Sequence, residues 1–380
     1  MAHDAGEKLM IRHAIVAGGG IAGHSAALAL LQAGIAVTVL EARPDDNDLG
    51  SFLRLNPNGL DALNAIDVLD PVVDASFPIR HVDRRALDGQ VLVHRPLTDP
   101  LPGRNLGARF ITWANLARVL RDESTRRGAT VRHRAPVLGA EATRNSVHAL
   151  LADDDPIEGD VLIGADGTRS TIRTVIDPAA PAPDYCGSRT IYGHTPRPPT
   201  HTPPAPAQLR SYGGPKAWLA HIDDPDTGHT YWFTNIKTSE LLPDPGPTTE
   251  DWRIELLQRW NDDDIPAGII KMATRIRASD DRALHHLPRW HTDRLVVIGD
   301  AAHAAPPSTE QGGSMAIEDA AVLGRCLRDL PLHLALARFE QERRERVETI
   351  IAIATGHHTT TTGPEWSYHH HIEWTQRIVP

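Results

Sequence analysis

The most restrictive feature of this chain is a glycine turn wedged between two apolar runs near its start. Ala14–Ala17 reads as a strand, Gly18-x-Gly20-x-x-Gly23 as the turn, Ile21–Ala33 as a helix that includes Ala22, and Ala36–Leu40 as a second strand. Each glycine has its own reason to be there. Gly18 lets the chain turn sharply, Gly20 clears room for a pyrophosphate, and Gly23 lets helix and strand approach closely. The N–H groups at the helix start then face outward and favour phosphate. Gly34 stands where a left-handed cap closes the helix. Glu41 ends the second strand, 18 residues beyond Gly23. A carboxylate there accepts hydrogen bonds from ribose hydroxyls and repels a 2′-phosphate, which leaves FAD and NAD open and disfavours NADPH at this site. Ala42 follows, and Arg43 either covers the adenine and pyrophosphate or faces water.

Composition sets the outer limits. A chain of 380 residues can bury a large core in one α/β domain or two interleaved ones. Its net charge of -10 argues against a nucleic-acid partner. Cys186 and Cys326 are too few for a disulfide framework or a thiolate metal site and read as buried or half-buried thiols. The opening MAHDAGEKLM lacks a signal-peptide layout. Residues 14–40 are apolar but broken by glycines, so they read as a βαβ start rather than a membrane span. We read the chain as cytoplasmic, working as a monomer or homodimer.

Two further motifs follow. Asp160-Val-Leu-Ile-Gly164-Ala-Asp166-Gly167-x-x-Ser170-x-x-Arg173 is a buried strand ending in a small-residue turn and a capped helix. Gly299-Asp300-Ala-Ala-His303, then Pro306-Pro307, then Gln311-Gly312-Gly313-Ser314 enter a helix over 314–330. That reading puts Glu318 and Asp319 in the first turn of the helix and Arg325 and Arg328 toward its end, which suits the helix dipole. A carboxylate after a strand can hold a sugar-alcohol chain, and a Gly-Gly helix entry stabilises negative charge on a bound group.

The three motifs, in this order and at these separations, resemble the single-component FAD-dependent aromatic hydroxylases, similar to para-hydroxybenzoate and salicylate hydroxylases. The likeness covers roughly residues 11–350. It includes Phe339-Glu340-x-x-Arg343-x-x-Arg346 and the segment from Gly50 to Pro57-Asn58-Gly59. It implies an α/β fold, a Rossmann-like FAD-binding domain interleaved with a mostly antiparallel β-sheet substrate domain, plus C-terminal helices. The expected parts are 11–75, 105–180 and 290–330 for FAD, 76–104 and 181–289 for substrate, and 331–380 as helix and tail.

By the same resemblance, Gly18, Gly20, Gly23 and Glu41 bind the ADP moiety and Asp300 the ribityl chain. Gly312 and Gly313 offer N–H groups to the flavin pyrimidine edge, and Pro307 sits over the ring. Asp166 and Gly167 serve FAD and nicotinamide handling. Trp113 stands where the family has an Arg for the phosphates, with Arg109 or Arg54 as candidates to compensate. Glu310 and Ser314 replace a common Gly and Asn, with Glu310 either tuning the flavin edge or pointing to solvent.

The implied chemistry has NADPH or NADH docking transiently to reduce the flavin. Dioxygen then forms a flavin hydroperoxide that oxygenates an aromatic or otherwise electron-rich small molecule, with secondary metabolism as the expected setting. Epoxidation of an alkene, a dehydrogenase or oxidase, and a non-catalytic flavin binder remain alternatives. A halogenase is disfavoured, because no Lys lies between Lys8 and Lys216. His221, His229, Tyr212 and Arg210 are candidates to ionise a phenolic substrate, none of them assigned as a base. Trp218, Trp232 and Phe233 either line a pocket or pack a core. The tail carries Thr359–Thr362, Trp366, His369–His371 and Trp374. Adjacent histidines on an irregular tail do not converge on one metal ion, and the two tryptophans would pack it on the body.

Overall fold

A computed structural model describes residues 11–44, 51–97, 106–152, 155–196, 207–356 and 364–379. Gly50, the paired prolines 198–199 and 203–204, and Thr359–Thr362 lie outside the described residues.

The chain opens with β1 (His13–Ala17), α1 (Ile21–Gln32) and β2 (Ala36–Leu40), then β3 (Phe52–Leu55), α2 (Pro57–Ala65), α3 (Leu69–Asp74) and β4 (Phe77–Pro78). A hairpin, β5 (His81–Arg85) and β6 (Val91–Pro96), precedes β7 (Arg109–Thr112), which runs straight into α4 (Trp113–Arg126). Next come β8 (Thr130–Arg132), β9 (Val137–Ala142), β10 (Val147–Leu151), β11 (Ile157–Gly159), β12 (Val161–Gly164) and α5 (Thr171–Ile176). The middle of the chain holds β13 (Asp184–Thr195), β14 (Gln208–Gly213), β15 (Trp218–Asp223), β16 (Thr230–Lys237), α6 (Thr249–Leu257), α7 (Ile265–Lys271) and β17 (Arg275–Ala283). It closes with β18 (Leu295–Val297), α8 (Asp300–His303), a 3-10 turn at Pro307–Thr309, α9 (Gly312–Asp329), α10 (Leu332–Ala354) and a 3-10 turn at Pro364–Tyr368.

Strand order separates two main layers. A five-stranded parallel sheet runs β18-β12-β1-β2-β8, with the ends of the first two motifs side by side at its centre. Its central strands are apolar runs because both faces are covered, one by α1 and the other by the three-stranded sheet β11-β10-β9 and α5. A seven-stranded, mostly antiparallel sheet runs β17-β13-β16-β15-β14-β5-β6. Its strands alternate instead, so each face is a different surface. One face packs on α6 and α7 through Ile191, Trp232, Trp252 and Leu256. The other meets the small β3-β7-β4 sheet through Phe52 and Phe110.

Several sequence expectations change here. The strand expected over 208–222 is a hairpin, broken after Gly213 at Gly214-Pro215. Cys186 is exposed, and only Cys326 is buried. Helix α9 begins at Gly312, two residues earlier than read, so its first turn holds no acidic residue. Glu318 and Asp319 fall instead in its buried middle. None of the described helices is long and apolar enough to cross a membrane.

Candidate FAD site and the sheet face beside it

At the first turn, Gly18 adopts φ +105, and a side chain there would meet the Ala165 carbonyl oxygen at 2.3 Å. The second motif is therefore the wall against which the first one turns. At Gly23 an added methyl would lie 1.8 Å from the Gly18 carbonyl oxygen, whereas at Gly20 it would meet nothing within 4 Å. Gly20 caps α1 without any side-chain hydrogen bond. The turn is thus closed behind and open in front, with unused N–H groups facing the opening.

Glu41 braces this turn. Its carboxylate accepts from the N–H of Gly19 at 2.6 Å and from the N–H of Arg43 at 2.9 Å. The Arg43 side chain is exposed. Asp166 accepts from the Ser170 hydroxyl and from the N–H groups of Thr171 and Ile172, so it caps α5. Gly167 takes φ +76 just beyond it.

The second entrance lies beside the first. Helices α1 and α9 run side by side in one direction: Gly299 approaches both Ala22 and Ala316, and Gly324 packs against Ala29. Small residues at these points let two helices come together with their N-termini on one rim. Between them Asp300 opens α8. Its carboxylate accepts no hydrogen bond from the described residues, and burial raises its pKa against the opposing pull of His303. Helix α9 also starts without a side-chain cap, and the Gln311 Nε2 and Ser314 hydroxyl are buried without partners among the described residues.

A buried charge network fixes this second entrance. Asp319 accepts from the Gly299 N–H at 2.8 Å, His303 Nε2 at 2.6 Å and Arg343 Nε at 2.7 Å. Arg343 also pairs with Glu318 at 2.7 Å, and Arg346 binds Glu318 at 2.9 Å. Burial alone would raise both carboxyls, but the guanidiniums, with His303 at Asp319, hold them below the usual carboxylate range. The charged motif of α10 is therefore a brace for the Gly299–His303 segment. Spacing along the sequence gives no sign that this motif pairs with Glu318 and Asp319.

Other expected residues lie elsewhere. Arg109 donates to the Ser76 hydroxyl and to the carbonyls of Val73 and Ser76, tying β7 to the end of α3. Arg54 pairs with Glu310 at 2.9 Å and lies over the Tyr368 ring. It therefore stands at the α9 entrance and not at the glycine turn. Glu310 takes φ +52, a left-handed conformation that suits glycine, the residue the resemblance leads one to expect there. Trp113 begins α4 and packs on the main core. Pro307 opens the 3-10 turn that leads into α9. The tail packs through Trp366 on Arg346 and Trp374 on Arg328, while His371 binds Asp61. Among the described residues no group of three or more His, Cys, Asp or Glu could hold a metal ion.

Alternation sorts the candidates in the large sheet. Arg210, His221 and Trp232 share one cross-strand row, and Tyr212 and Trp232 pack in the α6–α7 core. These side chains face away from Phe52 and the β3-β7-β4 sheet. Tyr192, Tyr231 and Phe233 face Phe52, with ring centroids 5.5, 6.0 and 5.7 Å away. Leu53, the next residue after Phe52, lies against Gly313. Strand β3 thus stands between the aromatic wall, which Phe52 meets on one side, and the second entrance, which Leu53 meets on the other.

These residues fit FAD: an uncapped glycine turn for the phosphates, a half-buried carboxylate without a partner among the described residues for the ribityl hydroxyls, and an uncapped helix start for the ring. A family described as an FAD binding domain matches residues 12–354. The chain belongs to that family.

Among its relatives, 6-hydroxynicotinate 3-monooxygenase of Pseudomonas fluorescens is 29% identical, covering 93% of this chain and 93% of that one. Aurachin C monooxygenase/isomerase of Stigmatella aurantiaca is 30% identical, over 89% and 86%. The crystal structure of Klebsiella pneumoniae HpxO with FAD and uric acid superposes with a TM-score of 0.80 at 24% identity, covering 91% and 87%. That structural likeness speaks for the fold. The family member described here is an FAD-dependent monooxygenase, an oxidoreductase that takes its electrons from NAD(P)H.

Proposed function

We propose that this monooxygenase hydroxylates an aromatic small molecule held between the Gly312 entrance and the Phe52–Tyr192–Phe233 wall, as a cytoplasmic enzyme of secondary metabolism acting as a monomer or homodimer. The observation that carries the reading is the parallel pairing of α1 and α9, which sets two uncapped helix starts and Asp300 on one rim. In this reading Gly18, Gly20 and the first N–H groups of α1 hold the pyrophosphate. Glu41 stiffens the turn and keeps lone pairs for the ribose. Asp300 accepts from the ribityl chain. When bound, FAD supplies the redox chemistry with dioxygen, so the protein's part is binding, orientation and exclusion of water.

The N–H groups of Gly312 and Gly313 stabilise negative charge that collects at the ring's edge. Asp166 and Gly167 shape the loop against which the cofactor and a transient nicotinamide lie. The wall of aromatic rings favours a flat substrate over a flexible chain, which supports hydroxylation above epoxidation. The test is to purify the protein, read its flavin spectrum, and screen aromatic rings for stimulated NAD(P)H oxidation under labelled dioxygen. Label in the product supports the reading. Substrate oxidised without label makes the protein a dehydrogenase or oxidase instead.

A further inference from the structure

The Phe52-facing side of the seven-stranded sheet carries a buried carboxylate that the reading above does not use. Asp281, 4% exposed, accepts from the Ser188 hydroxyl at 2.6 Å, the Thr190 hydroxyl at 2.8 Å and Asn235 Nδ2 at 2.6 Å. Asn235 Nδ2 also donates to the Thr190 hydroxyl at 3.1 Å. A carboxylate only accepts, and the Thr190 proton already goes to it, so the Asn235 amide has one allowed orientation. Both of its N–H bonds are used there. Its Oδ1, with no partner among the described residues, is a fixed acceptor on a half-buried side chain.

Asn235 does not stand alone. It pairs across the strands with Thr190, and Tyr192 pairs with Phe233. Tyr192 and Asn235 are thus diagonal neighbours on one face, with backbones roughly 7–8 Å apart. The Tyr192 hydroxyl has no hydrogen-bond partner among the described residues. Burial first, and the Asp281 charge second, push its pKa up, so at neutral pH it remains a donor. Strand β17 places this cluster next to the second entrance, because Leu284, three residues after Asp281, bonds the Ala304 carbonyl at 2.8 Å, just before Pro306-Pro307.

We propose that Asn235, positioned by Asp281, and Tyr192 read a neutral cyclic amide edge on the substrate ring: the ring N–H donates to Asn235 Oδ1 and its carbonyl accepts from Tyr192. This rests on the monooxygenase reading and narrows it to nitrogen heteroaromatic rings. A phenolate is disfavoured at the same place, since it would put negative charge against an acceptor backed by a buried carboxylate. A buried donor or acceptor left unmatched is costly enough to make such a pair selective.

The experiment uses the FAD-loaded enzyme and reads ligand binding from perturbation of the flavin spectrum, with 2-quinolone, N-methyl-2-quinolone and 2-naphthol as probes. The expected result is that 2-quinolone binds about tenfold or more tighter than its N-methyl form and tighter than 2-naphthol. Asn235→Ala should weaken 2-quinolone about tenfold and leave the N-methyl form unchanged, with FAD retained. Tyr192→Phe should weaken both quinolones and spare 2-naphthol. Equal affinity for the two quinolones, tighter binding of 2-naphthol, no binding of 2-quinolone, or a preference that survives Asn235→Ala overturns the inference and leaves the monooxygenase reading standing. A protein that takes up no FAD removes both, and its absorbance shows this before any ligand is added.

Discussion

The two helix entrances do the same physical job and are built in opposite ways. At α1 most of what is needed lies within a short stretch: three glycines, a strand before them and a glutamate after the next strand, with the Ala165 backbone of the second motif as the wall behind. At α9 the N–H groups are equally free, but they are held in place by charges far along the chain. Gly299 hangs on Asp319, Asp319 on Arg343, and Arg343 shares Glu318 with Arg346. The first entrance is a local turn fixed by sterics. The second is a joint fixed by buried ion pairs, where removing one partner strands another charge.

That contrast predicts unequal responses to mutation. The largest should come from Arg343→Ala, which leaves Glu318 and Asp319 buried with less compensation and should cost about 3–5 kcal/mol of stability. Denaturant unfolding checks it, and a loss under about 1 kcal/mol would mean the network is not what holds the second entrance.

The same contrast explains what could be read from the sequence. The glycine turn, α1 and the parallel strands were legible because periodicity and spacing are local signals. The pairing of Arg343 with Glu318 and Asp319 was not, since it joins residues on different helices. Nor was the face on which each strand residue lies. Arg210, Tyr212 and His221 stood out in the sequence and Tyr192 and Asn235 did not, and only strand pairing puts the first three on the α6–α7 side of the sheet and the other two on the Phe52 side. Arg109, a candidate for the phosphates, is bonded to carbonyls of its own neighbourhood, and the sequence held no sign of that.

The local entrance offers a paired comparison. Gly23→Ala drives a methyl onto a backbone oxygen and should destabilise the fold by about 3 kcal/mol, with loss of FAD. Gly20→Ala meets only open space. It should leave unfolding within about 1 kcal/mol of the parent while weakening FAD about tenfold, because the methyl fills room kept for phosphate. If Gly20→Ala bound FAD normally, the opening in front of the turn would not be the pyrophosphate site.

The smallest effect belongs to Glu310→Gly. Glycine relieves a left-handed residue, worth about 1 kcal/mol, while the lost Arg54 pair is partly exposed and contributes less. A slight rise in Tm is expected. A clear fall would show that the Arg54–Glu310 pair matters more to the second entrance than the backbone strain does.

The most direct test of two entrances bridged by one extended cofactor is an FAD titration of Asp300→Ala, followed by flavin fluorescence against the parent protein. Asp300 sits between the entrances without a hydrogen-bond partner among the described residues, so its loss should leave the apoprotein folded and weaken FAD at least about tenfold. An unchanged dissociation constant would contradict the account.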